Sequence, residues 1–357
     1  MSTHSKKDLA VCIGRFQPFH NGHLALLEQA LVSAEQVIVV IGSARKARTP
    51  RNPFTWQERA DMIRLALPDV DQARVTFLPV RDECDDDRWL QAVRSGVDAL
   101  GRERTGTAHI GVVWVGRAED MVGADLAVFD GWERTLVDGR NPADATHIRD
   151  VYLGQASDDP AAALQTLSSM VPPSTLQALT AQAALSVHAE LAGEWRMLRK
   201  YKEAWSAAPY APVFVTVDAV VQCAGKILLI RRGQPPGVGL HALPGGFIEQ
   251  KESAYQSAVR ELREETRLNL PPSIMKAALK GSAVFDQPDR SQRGRTISHT
   301  FHFDLGHEPL PAIEADDDAQ SAEWIDINRL ADMEDQFHDD HFQMLDHFLG
   351  LVTDGPR

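Results

Sequence analysis

The sequence predicts an α/β protein of two domains, on three observations. In the first half, short β-branched runs alternate with stretches of helical periodicity, the pattern of a parallel sheet covered by helices. In the second half a strand hairpin leads into an acidic amphipathic helix and then a further strand, an α+β order. The 357 residues exceed what one small core organises, and an apolar content of 43% is enough to fill two. The expected division is 1–184 for the first domain, 185–208 as a linking helix, and 209–357 for the second.

Leu9 to Ile13 is an apolar run closed by Gly14 and reads as the first strand. Arg15-Phe16-Gln17-Pro18-Phe19-His20-Asn21-Gly22-His23 follows as a loop, and LALLEQALVSA then has helical periodicity. A helix starting against such a loop presents free N–H groups and a positive dipole, a ready phosphate site. Two histidines in its first turn are placed to donate hydrogen bonds to phosphoryl oxygens as charge builds in a transition state. Val37 to Ile41 is a continuous apolar run suited to a buried parallel strand. After it, the basic stretch from Ala44 to Thr49, with Arg45, suits phosphate contact or a solvated loop. Asn52-Pro53-Phe54-Thr55 opens a helix, with Thr55 and Glu58 spaced as a capping box. Val75 to Val80 and Ile110 to Val115 are two more strands, with DDRWLQAVRSGVDAL as the helix between them. A helix start is expected at 144–150, where Thr146, Ile148 and Arg149 fall. Ligand is expected at the carboxyl ends of the strands.

The first segment resembles the GRFQPFHxGH start of the nucleotidyltransferase superfamily, and its fuller match is similar to the nicotinamide mononucleotide (NMN) adenylyltransferases. The resemblance implies a Rossmann-like domain binding ATP and NMN through Gly14, Arg15, Phe16, Gln17, Gly22, Arg45, Asn52 and Thr146. It also implies His20, His23 and Arg149 as catalytic residues, with Arg149 gripping the β- and γ-phosphates as a fork. The stretch from Asn52 to Arg59 resembles that family's NPFT-x-x-E-R, and 144–149 its I-S-x-T-x-I-R signature, with Asp144-Ala145 in place of Ile-Ser. A tyrosine-rich segment expected ahead of Trp132 is missing. Trp132 suits stacking on nicotinamide, with Asp120 near its amide, or a place in the core.

In the second half, 185–208 reads as the linking helix. Val213 to Val221 and Ile227 to Ile230 read as a hairpin with Gly225 in its turn. Ser253 and Gln256 form a capping box that starts a helix at Ala254, whose Ala254, Ala258, Val259 and Leu262 share the burying face. Glu261, Glu264 and Glu265 then lie within roughly a 100° arc at the edge of that face. Carboxylates so spaced repel, and burial makes this worse unless a hard cation lies among them. Glu252 adds a fourth. Downstream, Arg293 and Arg295 precede the strand Thr296 to Phe303, where they suit a diphosphate or a terminal ribose, or an ordinary charged hairpin.

Gly246, Glu252, Arg260, Glu261, Leu262, Glu264, Glu265 and Leu268 resemble the Nudix box in register, with Arg267 where the pattern has its final glycine. The resemblance implies Mg²⁺ held by Glu261, Glu264 and Glu265, with Arg260 orienting a carboxylate. It further implies ADP-ribose binding by Gly245, Gly246, Phe247, Arg293 and Arg295. The chain as a whole resembles the bifunctional NMN adenylyltransferase/Nudix hydrolases, which implies NAD⁺ synthesis and ADP-ribose hydrolysis. The rival expectation is an adenylyltransferase whose Nudix domain senses ADP-ribose or NAD⁺ without cleaving it.

Composition narrows the partners. The net charge of −13 sets the overall field against nucleic acid, and no run of 18 apolar residues suggests a membrane span. Three scattered cysteines, Cys12, Cys84 and Cys223, suggest neither a disulfide framework nor a zinc spacing, and with a polar MSTHSKKDLA start they point to the cytoplasm. The expected partners are small nucleotides, with self-association left open.

Overall fold

The computed structural model describes residues 6–107, 109–117, 129, 131–137, 144–154, 160–307 and 309–352. The chain folds as two compact units, one running to Ala192 and the other beginning at Gly193.

The first unit runs β1 (Lys7–Gly14), α1 (Asn21–Ser33), β2 (Ala34–Ile41), α2 (Trp56–Leu65), α3 (Asp69–Gln72), β3 (Val75–Pro79), α4 (Asp86–Thr105), β4 (Val112–Gly116) and β5 (Glu133–Leu136). Then follow α5 (Ala145–Leu153), α6 (Pro160–Gln165), α7 (Pro173–Ala183) and the start of α8 (Ser186–Ala204), within which the division falls. The five strands are all parallel in the order β3-β2-β1-β4-β5. The chain therefore reverses its direction of growth between β1 and β4, and the crevice at their carboxyl ends is where such sheets take ligands. Both faces of the central strands are covered, so β1 and β2 read as continuous apolar runs; Leu9, Val11, Ile38 and Val40 pack with Val93 and Val97 of α4. The predicted Thr55–Glu58 capping box is present at α2, while α4 is capped by Asp85 and closed by Gly106 at φ 69°.

One side chain organises the loops around that crevice. Arg59 of α2 is 1% exposed. Its guanidinium donates to the carbonyls of Arg15 (2.6 Å), Gly42 (2.8 Å), Ser43 (3.1 Å) and Thr55 (3.2 Å). Burial pulls its pKa down to about 10, yet it stays charged at neutral pH. It ties the loop after β1 to the end of β2 and to the α2 cap, a geometry that lysine cannot copy.

The second unit runs β6 (Val213–Cys223), β7 (Lys226–Arg232), β8 (His241–Ala242), β9 (Gly245–Phe247), α9 (Ala254–Thr266), α10 (Pro272–Ala278), β10 (Leu279–Phe285), β11 (Arg295–Asp304), β12 (Ala319–Asp326), α11 (Ile327–Leu330) and α12 (His341–Leu349). Its mixed sheet has the path β10-β11-β6-β7-β12, with β8 on β7 and β9 on β6. Only the β11–β6 pair along that path is parallel. The β6–β7 hairpin turns through Gly225 at φ 73°. The Ser253–Gln256 capping box starts α9 at Ala254, as its spacing predicts. Ala258 and Leu262 are buried and Val259 half-buried; Leu262 meets Ala219, Val221, Leu228 and Phe303 of the sheet. Burying a leucine in this way stabilises by about 2 kcal/mol. That contact holds the glutamates of α9 against β9.

Candidate active sites

In the first unit, the loop after β1 places both histidines at the start of α1. His20 is the N-cap, and its Nδ1 accepts the backbone N–H of His23 at 3.3 Å. A neutral ring that accepts at Nδ1 carries its proton on Nε2, so Nε2 is a donor. The two rings stack with centroids 3.6 Å apart, and Phe16 stands edge-on to His23 at 4.8 Å. Burial first, then the positive charge of Arg117, lowers the His20 pKa to about 4. His23 is lowered well below its usual value by burial, His20 and Arg117. Both rings are neutral at pH 7. The Nδ1 of His23 is buried with no protein partner.

Arg117 follows β4 and was not singled out by any sequence pattern. A Cβ at Gly22 would lie 2.0 Å from its Nη2, so the guanidinium sits against the first turn of α1 and a larger residue there would displace it. Arg149, on α5, donates from Nη1 to the carbonyl of Gln17 at 2.6 Å and from Nη2 to Thr146 Oγ1 at 3.2 Å. Burial, then Arg15 and Arg51, brings its pKa down to about 10. Guanidinium groups therefore flank a neutral histidine pair at a helix N-terminus. Such an arrangement suits an anion.

The other predicted residues divide by role. The Gln17 amide is spent on Phe54, donating to its carbonyl (2.8 Å) and accepting its N–H (3.1 Å), so it joins two loops. Gly14 accepts the N–H of Gly42 at 3.0 Å, and Arg15 is exposed beyond it. Asn52 closes a turn with Thr49, and its Oδ1 is buried without a protein partner. Arg45 is exposed on its loop. Trp132 stacks on Phe129 at 4.6 Å against the core of the sheet, which is where a packing tryptophan belongs. Asp120 lies outside the described residues.

In the second unit, Arg260 is the centre of the acidic face. It contacts Glu252 (2.9 Å), Glu261 (2.8 Å) and Glu264 (2.7 Å), and donates to the Phe247 carbonyl at 3.2 Å. The sequence predicts one carboxylate partner; the structure has three. Burial opposes its charge, but these hydrogen bonds dominate and raise its pKa. Glu265 is 5% exposed and accepts the Gly245 N–H at 2.8 Å. Burial pushes its pKa up to about 8, with Glu261 adding to the rise. Glu261 is raised as well, by burial, despite Arg260. A Cβ on Gly246 would lie 2.6 Å from the Glu261 carboxylate, so only glycine admits that carboxylate against β9.

Among the described residues no three carboxylate, imidazole or thiolate groups converge on one metal position. Glu261 and Glu264 are drawn to Arg260, and Glu265 to the backbone. The donor set nonetheless fits a hard cation: all oxygen, and including the buried Glu265 and the partly buried Glu261, whose ionisation is penalised without a positive charge beside them.

Arg267 ends α9 at φ 50°, the left-handed position that the box glycine would take. It pairs with Glu314 and Asp316, both at 3.0 Å. The N–H groups of those two acids also donate to the carbonyls of Thr266 (2.9 Å) and Glu265 (3.1 Å). The tight turn is therefore kept. Arg267→Gly removes left-handed strain and two exposed ion pairs, effects of opposite sign. We expect the second unit's melting temperature to stay within about 3 °C of wild type; a larger fall would show that the two ion pairs outweigh the strain.

Phe247 is 42% exposed, packs edge-on to Phe214 at 5.9 Å, and carries the Arg293 guanidinium 5.2 Å above its ring. Arg295 instead hydrogen-bonds the carbonyl of Asp286 and faces its carboxylate, so it is held within its own hairpin.

Comparison with known proteins follows the same division. Residues 11–93 match the cytidylyltransferase-like family model, and residues 212–348 match the NUDIX domain model. The structure superimposes with a TM-score of 0.86 on a bifunctional NMN adenylyltransferase/ADP ribose pyrophosphatase from Francisella tularensis, at 33% identity over 96% of this chain and 99% of that one. The chain belongs to that bifunctional family. A second structure of the Francisella protein, complexed with AMP and manganese, gives a TM-score of 0.84. The nicotinamide/nicotinic acid mononucleotide adenylyltransferase of Acinetobacter baylyi is 34% identical over 41% of this chain and 76% of its own length. The ADP-ribose pyrophosphatase of Methanocaldococcus jannaschii is 40% identical over 38% of this chain and 71% of its own. Among the described residues of this family member, no helix is long and apolar enough to cross a membrane.

Proposed function

We propose that the protein is a bifunctional enzyme of NAD metabolism, with the domains divided as 1–184 and 209–357 about the link 185–208. The first domain joins NMN to ATP. An oxygen of the NMN phosphate attacks the α-phosphorus, the bond to the bridging oxygen breaks, and NAD⁺ and pyrophosphate result. No protein nucleophile is needed, because positioning and charge stabilisation suffice. His20, whose Nε2 carries the proton, and His23 donate to oxygens of the reacting phosphoryl group. Arg149 holds the departing phosphates, and the α1 N-terminus adds its N–H groups and dipole. The neutral, stacked histidine pair between Arg117 and Arg149 is the observation that carries this reading.

The second domain hydrolyses ADP-ribose. Water adds to one phosphorus of the diphosphate, the bridging P–O bond breaks, and AMP and ribose 5-phosphate leave. Glu261, Glu264 and Glu265 hold divalent metal, which we assign as Mg²⁺; when bound it supplies charge neutralisation and a more acidic water. Arg260 holds Glu252, Glu261 and Glu264 in register. Phe247 offers a stacking face, and Arg293 a fork for phosphate or sugar. The sensor alternative would draw on Arg267 standing in place of the box glycine, and Arg267 takes up the left-handed position that the glycine would hold.

The test is product analysis on purified protein with Mg²⁺. ATP plus NMN should give NAD⁺ and pyrophosphate, and ADP-ribose should give AMP and ribose 5-phosphate. NAD⁺ formation with intact ADP-ribose would overturn the hydrolase half.

A further inference from the structure

Around the loop joining β7 to β8, buried polar atoms lacking protein partners gather in one place. The Gly237 N–H donates to Glu194 Oε2 at 3.0 Å, while Glu194 Oε1 is buried with no partner. A Cβ on Gly237 would lie 2.5 Å from His338 Nδ1, so the ring abuts the same loop. His338 is 3% exposed, and neither of its ring nitrogens makes a hydrogen bond. Its Nε2 lies 3.3 Å from Asp339 Oδ2 but out of alignment for one. Arg293 Nε is buried and unpartnered as well. Arg232 extends from the end of β7 with its Nε on the Pro236 carbonyl at 2.7 Å, and its charge acts on Glu194, His338 and Glu265. Arg293 reaches Phe247, next to Gly246. The cluster therefore adjoins the acidic face of α9.

Buried polar groups are normally satisfied, so several unsatisfied ones together point to a missing partner. The chemistry of that partner is restricted. Glu194 Oε1 offers an acceptor, Arg293 Nε a donor, and neutral His338 one of each. A bare phosphate only accepts, and would face the Glu194 carboxylate. A metal cation would face two guanidinium groups. Neighbouring hydroxyls both donate and accept, and so satisfy the set.

We propose that Glu194, His338 and Arg293 form a subsite for a ribose hydroxyl pair of the nucleoside diphosphate substrate, with Glu194 of α8 as a specificity-determining residue. The inference rests on the hydrolase reading above. A site built to hydrogen-bond substrate hydroxyls rejects analogues lacking them strongly, because its own polar groups are then stranded.

The experiment measures kcat/KM for ADP-ribose, its 2′-deoxyadenosine analogue and ADP-glucose in wild type, Glu194→Ala and Glu194→Gln. Glu194→Ala should raise KM for ADP-ribose by about tenfold or more and shrink the preference over one analogue by a similar factor. NAD⁺ synthesis should be unchanged, which reports an intact fold. Lost preference over the deoxy analogue places the adenosine ribose in the subsite, and lost preference over ADP-glucose places the other sugar there. Glu194→Gln keeps the shape, serves if the alanine variant fails to fold, and should show the smaller loss. Unchanged preferences, or an equal loss on all three substrates, overturn the subsite. If wild type cleaves no ADP-ribose, the hydrolase reading fails on its own. Calorimetric binding of ADP-ribose then decides the subsite: weaker binding to Glu194→Ala supports it, and equal affinity overturns it.

Discussion

Glu264→Gln is expected to lower ADP-ribose hydrolysis by about 1000-fold, while NAD⁺ synthesis stays within about twofold of wild type. The size follows from where this carboxylate sits. Glu265 is held by the Gly245 N–H in a buried place, and Glu261 is pressed between Arg260 and Gly246. Glu264 is 47% exposed at its side chain and accepts from Arg260, so of the three it is the most open to a cation and to water. Glutamine has nearly the same shape and can still accept from Arg260. The change therefore removes charge and ligand strength with little effect on packing, and a drop in rate will not be confounded by unfolding. The measurement is AMP release at saturating Mg²⁺ beside NAD⁺ formation by the same preparation. If hydrolysis persists within about tenfold, Glu264 is not a metal ligand; if both activities fall together, the two sites are not independent.

What the sequence made legible was whatever local spacing encodes. Both capping boxes and the β6–β7 hairpin rest on contacts between near neighbours, while the strands of the first unit and the burying stripe of α9 show as local apolar patterning; all are found. The short edge strand β5 and the strands β10 and β12 were not foreseen. Their half-exposed residues give no strong apolar run, and pairing with distant partners makes them strands. The sites show the same limit. Gln17 belongs to a segment expected to meet nucleotide, yet it spends its amide on Phe54, 37 residues away. Arg59 has no motif role that reveals four carbonyls around it, and Arg117 reaches Gly22 only because β4 lies beside β1. Glu314 and Asp316 read as plain acidic surface, but they complete the α9 terminus and hold Arg267.

His23→Ala should reduce NAD⁺ synthesis by about 100- to 1000-fold and leave ADP-ribose hydrolysis untouched. His23 stacks on His20 and packs against Phe16, so the substitution removes a donor and also loosens the ring that holds its neighbour. His23→Gln separates the two effects, since an amide can donate without titrating. The pH behaviour supplies an independent check. The His20 pKa in the folded state is about 4, against roughly 6.5 unfolded, and His23 shifts the same way. Between those values the unfolded chain binds protons that the folded chain does not. Stability is therefore fully present above about pH 6.5 and is lost as pH falls toward 4. His20→Asn keeps a capping oxygen at α1 and should flatten this dependence in denaturant titrations of the first unit. Because the pair is neutral throughout that range, NAD⁺ synthesis should show no inflection near pH 6.5 from these residues. An inflection there that vanishes in His20→Asn would mean that one imidazole works as a cation, and would replace the neutral-donor scheme with general acid catalysis.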